Sequence, residues 1–235
     1  MTKKTLTKKT LTKKTLLSWS TGKDSAWALH QLRRDPDVEV VGLFSTVNQA
    51  FERVAMHGVR VELLRRQAAS AGLPLHLIEI PHPCSDADYA RVMDAFTAQA
   101  KRDGVECFAF GDLFLQDIRH YREQLLHGTG IEPLFPLWGL PTAALAAAMV
   151  DGGLRAVLTC VDPRRVPAAL CGRDYDAALL AELPAGVDPC GEYGEFHSFA
   201  FAGPMFSAPV ALTRGATVER DGFVFTDLLP AAALS

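Results

Sequence analysis

Hydrophobic and polar positions alternate in blocks along most of the chain. Leu16–Trp19 is a short apolar run that predicts a strand. From Lys23 to Arg34 the apolar positions Ala26, Trp27, Leu29 and Leu32 fall on one side of a 3.6-residue period, which predicts a helix. Val38–Phe44 is β-branched and predicts a buried strand. Helix is then expected over Val59–Ala71, strand over Leu75–Ile80, helix over Asp86–Arg102 and strand over Val105–Phe110. Leu115–Leu126 and the Ala-rich Pro141–Asp151 predict two more helices, and Leu154–Val161 the last strong strand. Strands separated by helices of 10–15 residues predict an α/β fold, a doubly wound parallel sheet with helices on both faces. Right-handed crossovers would bring all strand carboxyl ends to one edge.

The two ends depart from this pattern. After about residue 183, Pro, Gly and aromatic residues dominate, and Phe196–Phe201, Val210–Thr213, Val218–Arg220 and Phe223–Thr226 read as short strands. A small antiparallel, β-rich C-terminal segment is expected over 184–235, completing the substrate cleft of a main domain over 16–183. At the other end the pentad Thr-Lys-Lys-Thr-Leu occurs three times, closing at Leu6, Leu11 and Leu16. A period of five fits neither helix nor strand, so residues 1–15 are expected to form a disordered, Lys-rich tail.

The 235 residues, 49% of them hydrophobic, suffice for one substantial core. The formal charge is −3, and six lysines lie in the repeats, so the remainder is more acidic still. That argues against general nucleic-acid binding. The five cysteines, Cys84, Cys107, Cys160, Cys171 and Cys190, contain no C-x-x-C pair. A zinc knuckle or dithiol redox site is therefore not expected. No apolar run approaches a membrane span and no secretory leader is evident, so the expected setting is cytoplasmic, without a membrane.

Ser20-Thr21-Gly22-Lys23-Asp24-Ser25 lies where the first strand meets the first helix. Ligands of open α/β sheets bind at this edge, and a helix N-terminus favours an anion. Gly22 permits a tight turn; Ser20, Thr21 and Ser25 add hydroxyls, and Lys23 adds positive charge. Asp24 suits a phosphate site if it binds Mg²⁺. The second glycine of a Walker A loop is absent. The competing reading is an ordinary helix capped by Ser20 or Thr21. The string resembles the S-G-G-x-D-S loop of PP-loop ATP pyrophosphatases, with Thr21 in place of the second-position glycine.

Two further regions carry candidate chemistry. Gly111-Asp112 closes a strand, and the next helix carries Arg119 and Arg122 three residues apart, a spacing that could grip a carboxylate or phosphate. A solvated, salt-bridged helix face with a capping Asp fits equally. Near the C-terminus, Glu192 and Glu195 flank Tyr193-Gly194, where carboxylates could hold Mg²⁺ or act as a base; a polar turn is the alternative.

In order along Leu16–Phe206 the chain presents STGKDS, GDLFLQDIRHYRE, EPLFPLWG, DPCGEYGEFHSF and AGPMF. This ordered set resembles the diphthine–ammonia ligase family of N-type ATP pyrophosphatases, adenine nucleotide α-hydrolase-like proteins with a Rossmann-like HUP fold. The family's G-E-N-G-E-F has Tyr193 in place of Asn here, and the middle motif keeps Gly111, Asp112, Arg119, Arg122 and Glu123 around a divergent centre. The resemblance implies ATP and Mg²⁺ as cofactors and an AMP-forming amide ligation: a carboxylate is adenylated, pyrophosphate leaves and ammonia displaces AMP. It places Ser20, Thr21, Gly22, Lys23, Asp24, Ser25 and Gly111 at the nucleotide, with Asp24 on the metal. Phe44 and Ser45 fall near adenosine. Lys23, Asp112, Glu192 and Glu195 are the implied catalytic residues, and Arg119 and Arg122 the substrate-binding ones. The partners are then a protein-borne or small-molecule carboxylate and ammonia; the family's own substrate is diphthine on translation elongation factor 2. A homodimer is expected. A PP-loop tRNA sulfurtransferase and a non-catalytic adenine-nucleotide-binding module are the competing classes.

Overall fold

A computed structural model describes residues 12–48, 53–54 and 59–232. The first strand, β1 (Lys13–Ser18), leads into α1 (Lys23–Leu32). Then come β2 (Val38–Asn48), β3 (Arg53–Val54), α2 (Val61–Ala71), β4 (Leu75–Ile80), α3 (Asp86–Arg102), β5 (Cys107–Ala109), α4 (Gln116–Leu126) and β6 (Glu132–Leu134). Strands β4, β2, β1, β5 and β6 lie side by side and parallel, and β3 adds an antiparallel pair of residues to β2. The order reverses at β1: the chain first builds outward through β2 and β4, then returns to place β5 on the other side. The carboxyl ends of β1 and β5 therefore flank the switch point, where α/β sheets bind ligands.

The remaining elements are α5 (Thr142–Asp151), β7 (Arg155–Val161), α6 (Ala177–Glu182), β8 (Phe196–Ala202), β9 (Leu212–Arg220) and β10 (Phe223–Pro230). A second, antiparallel sheet has the order β8-β7-β10-β9. The expected boundary near Pro184 is corrected here. The Leu154–Val161 run belongs not to the parallel sheet but to the middle of the antiparallel one, between β8 and β10. Its buried residues 156–161 read equally well as either kind of strand, since both are covered on two faces. The expected tail is also shortened. Lys13, Lys14 and Thr15 of the last repeat pair with β2, and Thr15 is fully buried; the expectation for residues 1–11 lies outside the described residues.

Alternation along β1 separates two cores. Leu17 packs with α1, α2, α5 and the antiparallel sheet, through residues such as Leu29, Leu63, Met149, Val157 and Phe199. Leu16 faces the opposite layer with Phe44, Met93, Phe108 and Leu126, beneath α3 and α4. Local signals mark the C-terminal end of α2 and the N-terminal end of α3. Gly72 closes α2 in the left-handed region at φ 67°, which glycine adopts without a Cβ penalty. Ser85 caps α3 by accepting from the Asp88 N–H.

Candidate active site

The loop between β1 and α1 is held from behind by one buried carboxamide. Gln67 of α2 accepts from the Trp19 indole at 2.8 Å, and its amide donates to the carbonyls of Thr21 at 2.9 Å and Ala200 at 2.6 Å. The Ala200 N–H also donates to the Thr21 carbonyl. Strand β8 thus lies directly against the phosphate-type loop. Thr21 is fully buried, its hydroxyl has no partner, and its φ is +73°, a region that disfavours β-branched residues. This is where the S-G-G-x-D-S pattern has glycine. Thr21→Gly is expected to raise stability by about 1 kcal/mol, since relief of strain and of an orphaned hydroxyl outweighs the lost methyl group. A urea titration checks this; a lower midpoint for the variant would show that the Thr21 side chain contributes more packing than strain.

Beyond Thr21 the chain turns into α1. Gly22 lies so close to Ser198 that an added Cβ would sit 3.3 Å from its carbonyl oxygen. The Lys23 N–H donates to the Ser198 hydroxyl at 3.2 Å, and the Ser20 and Ser25 hydroxyls are 3.1 Å apart. From the other side of the switch point Gly111 approaches, and a Cβ there would be 3.1 Å from the Asp24 backbone carbon and the Ser25 nitrogen. Two close backbone approaches thus place Ser20, Gly22, Asp24, Ser25, Gly111 and Asp112 around one polar cavity of about 230 Å³.

The 188–195 loop forms the far wall. Lys23 reaches it: its buried ammonium donates to the Cys190 carbonyl and to Asp24 at 2.8 Å, with the Tyr175 and Phe196 rings 5.6 and 5.3 Å away. Burial works against this cation, but Asp24 and the other acidic groups outweigh it and the ammonium is held above its usual range. Lys23 therefore ties the two walls together. Asp24 shares only one oxygen with it. The other, Oδ1, is buried without a partner, and burial raises the carboxyl despite Lys23. An orphaned carboxylate oxygen in a polar cavity fits a divalent cation. Among the described residues no group of three His, Cys, Asp or Glu side chains forms a closed cage. One carboxylate supplemented by phosphate oxygens is how Mg²⁺ is commonly held.

Glu192 enters the cavity and anchors to the β5 edge, accepting from the Leu113 and Phe114 N–H groups at 2.8 and 3.5 Å. Burial, reinforced by the Asp24 and Asp112 carboxylates, pushes its carboxyl up to about 7. Asp112 also lines the cavity, paired with Arg122 at 3.5 Å and raised by burial. Glu195 is a correction. It is fully buried behind the loop, where it accepts from the Asp188 N–H and pairs with Arg165 at 3.0 Å, and it does not line the cavity. It shapes the turn that carries Glu192.

Arg119 is the second correction. It pairs with Glu123 at 2.7 Å and covers the Phe135 and Trp138 rings at 4.8 Å, away from the cavity walls. Arg122, by contrast, lies over the Phe110 ring and lines both the polar cavity and a larger adjoining chamber of about 580 Å³. Phe44 and Ser45, in the carboxyl-terminal half of β2, line that chamber too. Three contributors are not marked by the sequence pattern: Gln67, which nothing in its helix singles out, and Ser198 and His197 at the start of β8. The last two stand within the DPCGEYGEFHSF string, and their adjacency to Glu195 was the available signal.

Switch-point loop, helix N-terminus and polar cavity define a PP-loop type of nucleotide-binding α/β protein. The family model described as the Diphthamide synthase N-terminal domain matches residues 13–133, more than half of the chain, and the chain belongs to that family. The match begins with β1 and ends within β6, so the 188–195 loop lies outside it. No curated protein matches the chain. Membership places it in the PP-loop ATP pyrophosphatase superfamily and implies ATP use. Among the described residues no helix is long and apolar enough to cross a membrane.

Proposed function

We propose that the protein is an ATP-dependent, AMP-forming amide ligase that adenylates a carboxylate, releases pyrophosphate and transfers ammonia to the acyl group. The observation that carries this reading is the pairing of chambers. A small polar cavity at a helix N-terminus opens into a larger one lined by Phe44, Tyr89 and Phe110, a size and polarity order suited to phosphates followed by adenosine. Asp24, with phosphate oxygens, would hold Mg²⁺, which supplies charge neutralisation on the departing pyrophosphate.

The chain's own residues account for the rest. The α1 N-terminus, Ser20 and Ser25 orient the phosphates, and Arg122 faces the junction where a carboxylate would approach. Adenylation converts a poor leaving oxygen into AMP. Glu192, ionised above about 7, takes a proton from the ammonium nitrogen so that its lone pair attacks the acyl carbon. Free ammonium or a partner enzyme would supply the nitrogen. The test is incubation with ATP, Mg²⁺, ammonium and candidate carboxylates, diphthine-bearing protein among them. AMP and pyrophosphate are expected; ADP as product would overturn the mechanism.

The sulfurtransferase reading finds little support, since burial pushes the Cys190 thiol up to about 12 and Cys107 upward as well, away from the thiolate that sulfur transfer needs. Cys84 offers a check on the larger chamber. It is the one partly exposed cysteine and it lines that wall, whereas the other four are buried. Bound ATP is expected to slow alkylation of Cys84 several-fold, read by mass spectrometry. Equal rates with and without ATP would place adenosine elsewhere.

A further inference from the structure

The two chambers meet at a waist formed by the residues that line both: Ser18, Ser20, Phe110, Arg122 and His197. A nucleotide with its terminal phosphates in the polar cavity and its adenosine in the larger chamber must thread its α-phosphate through this waist. Of the five, Arg122 and His197 carry the side-chain nitrogen donors, and they come from elements far apart in the chain. Arg122 stands on α4 beyond the parallel sheet. His197 stands on β8 of the antiparallel sheet, next to Ser198, whose hydroxyl takes the Lys23 N–H. The α-phosphorus is the atom at which an adenylating enzyme must act, so donors aimed at its non-bridging oxygens stabilise the charge that grows there.

We infer that His197 is a catalytic residue of this site, donating a ring N–H hydrogen bond to the α-phosphate of ATP at the waist. This rests on the adenylation reading above. Burial, and secondarily the nearby Lys23 charge, hold the imidazole down to about 4, so it is a neutral donor at ordinary pH. It keeps its proton throughout. A substrate carboxylate oxygen bonds to the α-phosphorus, the bond from that phosphorus to the oxygen bridging the β-phosphate breaks, and the electron pair leaves with pyrophosphate. The His197 hydrogen bond spans ground state and transition state, while Arg122 supplies the positive charge.

The inference is tested by calorimetry with four probes: ATP with Mg²⁺, AMP, adenosine and pyrophosphate with Mg²⁺. His197→Met keeps bulk and removes both nitrogens; His197→Gln keeps an N–H donor. The Met variant is expected to bind ATP and AMP on the order of tenfold more weakly, with adenosine and pyrophosphate unchanged and the Gln variant close to wild type. Unchanged ATP and AMP affinity, or an equal loss for pyrophosphate or adenosine, would overturn the role, the latter marking His197 as merely structural. Failure of the wild type to bind ATP at all would sink the nucleotide reading itself, a distinct outcome.

Discussion

Replacing Lys23 by methionine is expected to destabilise the protein by about 3 kcal/mol, the low end of the range for removing one partner of a buried ion pair. Four groups depend on the ammonium: the Asp24 carboxylate, the Cys190 carbonyl and the aromatic faces of Tyr175 and Phe196. Methionine fills the space but leaves the carbonyl without its donor and the carboxylate without its counter-charge. Asp24 is 27% exposed, so water screens part of the loss, which is why the lower end applies. Urea unfolding measures it. A loss below about 1 kcal/mol would show that Lys23 is not the tie between the phosphate-type loop and the 188–195 loop. Because that tie also positions Glu192, the same variant should lose AMP-forming turnover even under conditions where it remains folded.

Glu192→Gln carries the other large expectation, and it depends on pH. The folded-state carboxyl sits near 7, above the ordinary 4.5 of an unfolded chain. A group raised in this way contributes stability that is fully present below about 4.5 and is lost as pH rises through 7. Glutamine has nothing to ionise and can still accept from the Leu113 N–H. The variant should therefore match wild type near pH 4–5 and exceed it by about 2 kcal/mol at pH 8, after allowance for the partial exposure of Glu192. Turnover should move the opposite way. Wild-type rate is expected to rise with pH across 7, while the variant loses roughly a hundredfold and its profile flattens. Stabilisation without loss of turnover would leave Glu192 as a strained wall residue and remove it from ammonia handling.

The parallel sheet was legible because its strands and helices carry incompatible periods, as in VEVVGLF beside Asp86–Arg102. What escaped did so for identifiable reasons. Strand β6 is three residues long and contains Pro133, which reads as a breaker although an edge position tolerates it. Strand β7 is apolar on both faces, so its pattern does not say which sheet it joins. The candidate site divides in the same way. Ser20–Ser25, Asp112 and Glu192 could be placed by their position after a strand or between glycines. Glu195 differs from Glu192 only in which way the turn faces it. Arg119 and Arg122 share a helix, but one side chain rests on Phe135 and Trp138 and the other on Phe110, a distinction made by packing partners distant in sequence. Thr21 carried one signal, its place where the S-G-G-x-D-S pattern has glycine, but its burial against Gln67 and Ala200 is set by residues distant in sequence.

Gln67 has a consequence for how the chain can be divided. Its three hydrogen bonds reach Trp19, Thr21 and, on the antiparallel sheet, Ala200. A fragment ending with the family match at residue 133 would keep every strand of the parallel sheet except the last residue of β6. Yet it would strip the cover from Leu17, Leu29 and Leu63 and leave that carboxamide short of an acceptor in an apolar surface. The recognisable half is thus not expected to fold on its own. Both sheets are expected to melt in a single cooperative transition, and circular permutation that keeps both would be tolerated where truncation would not.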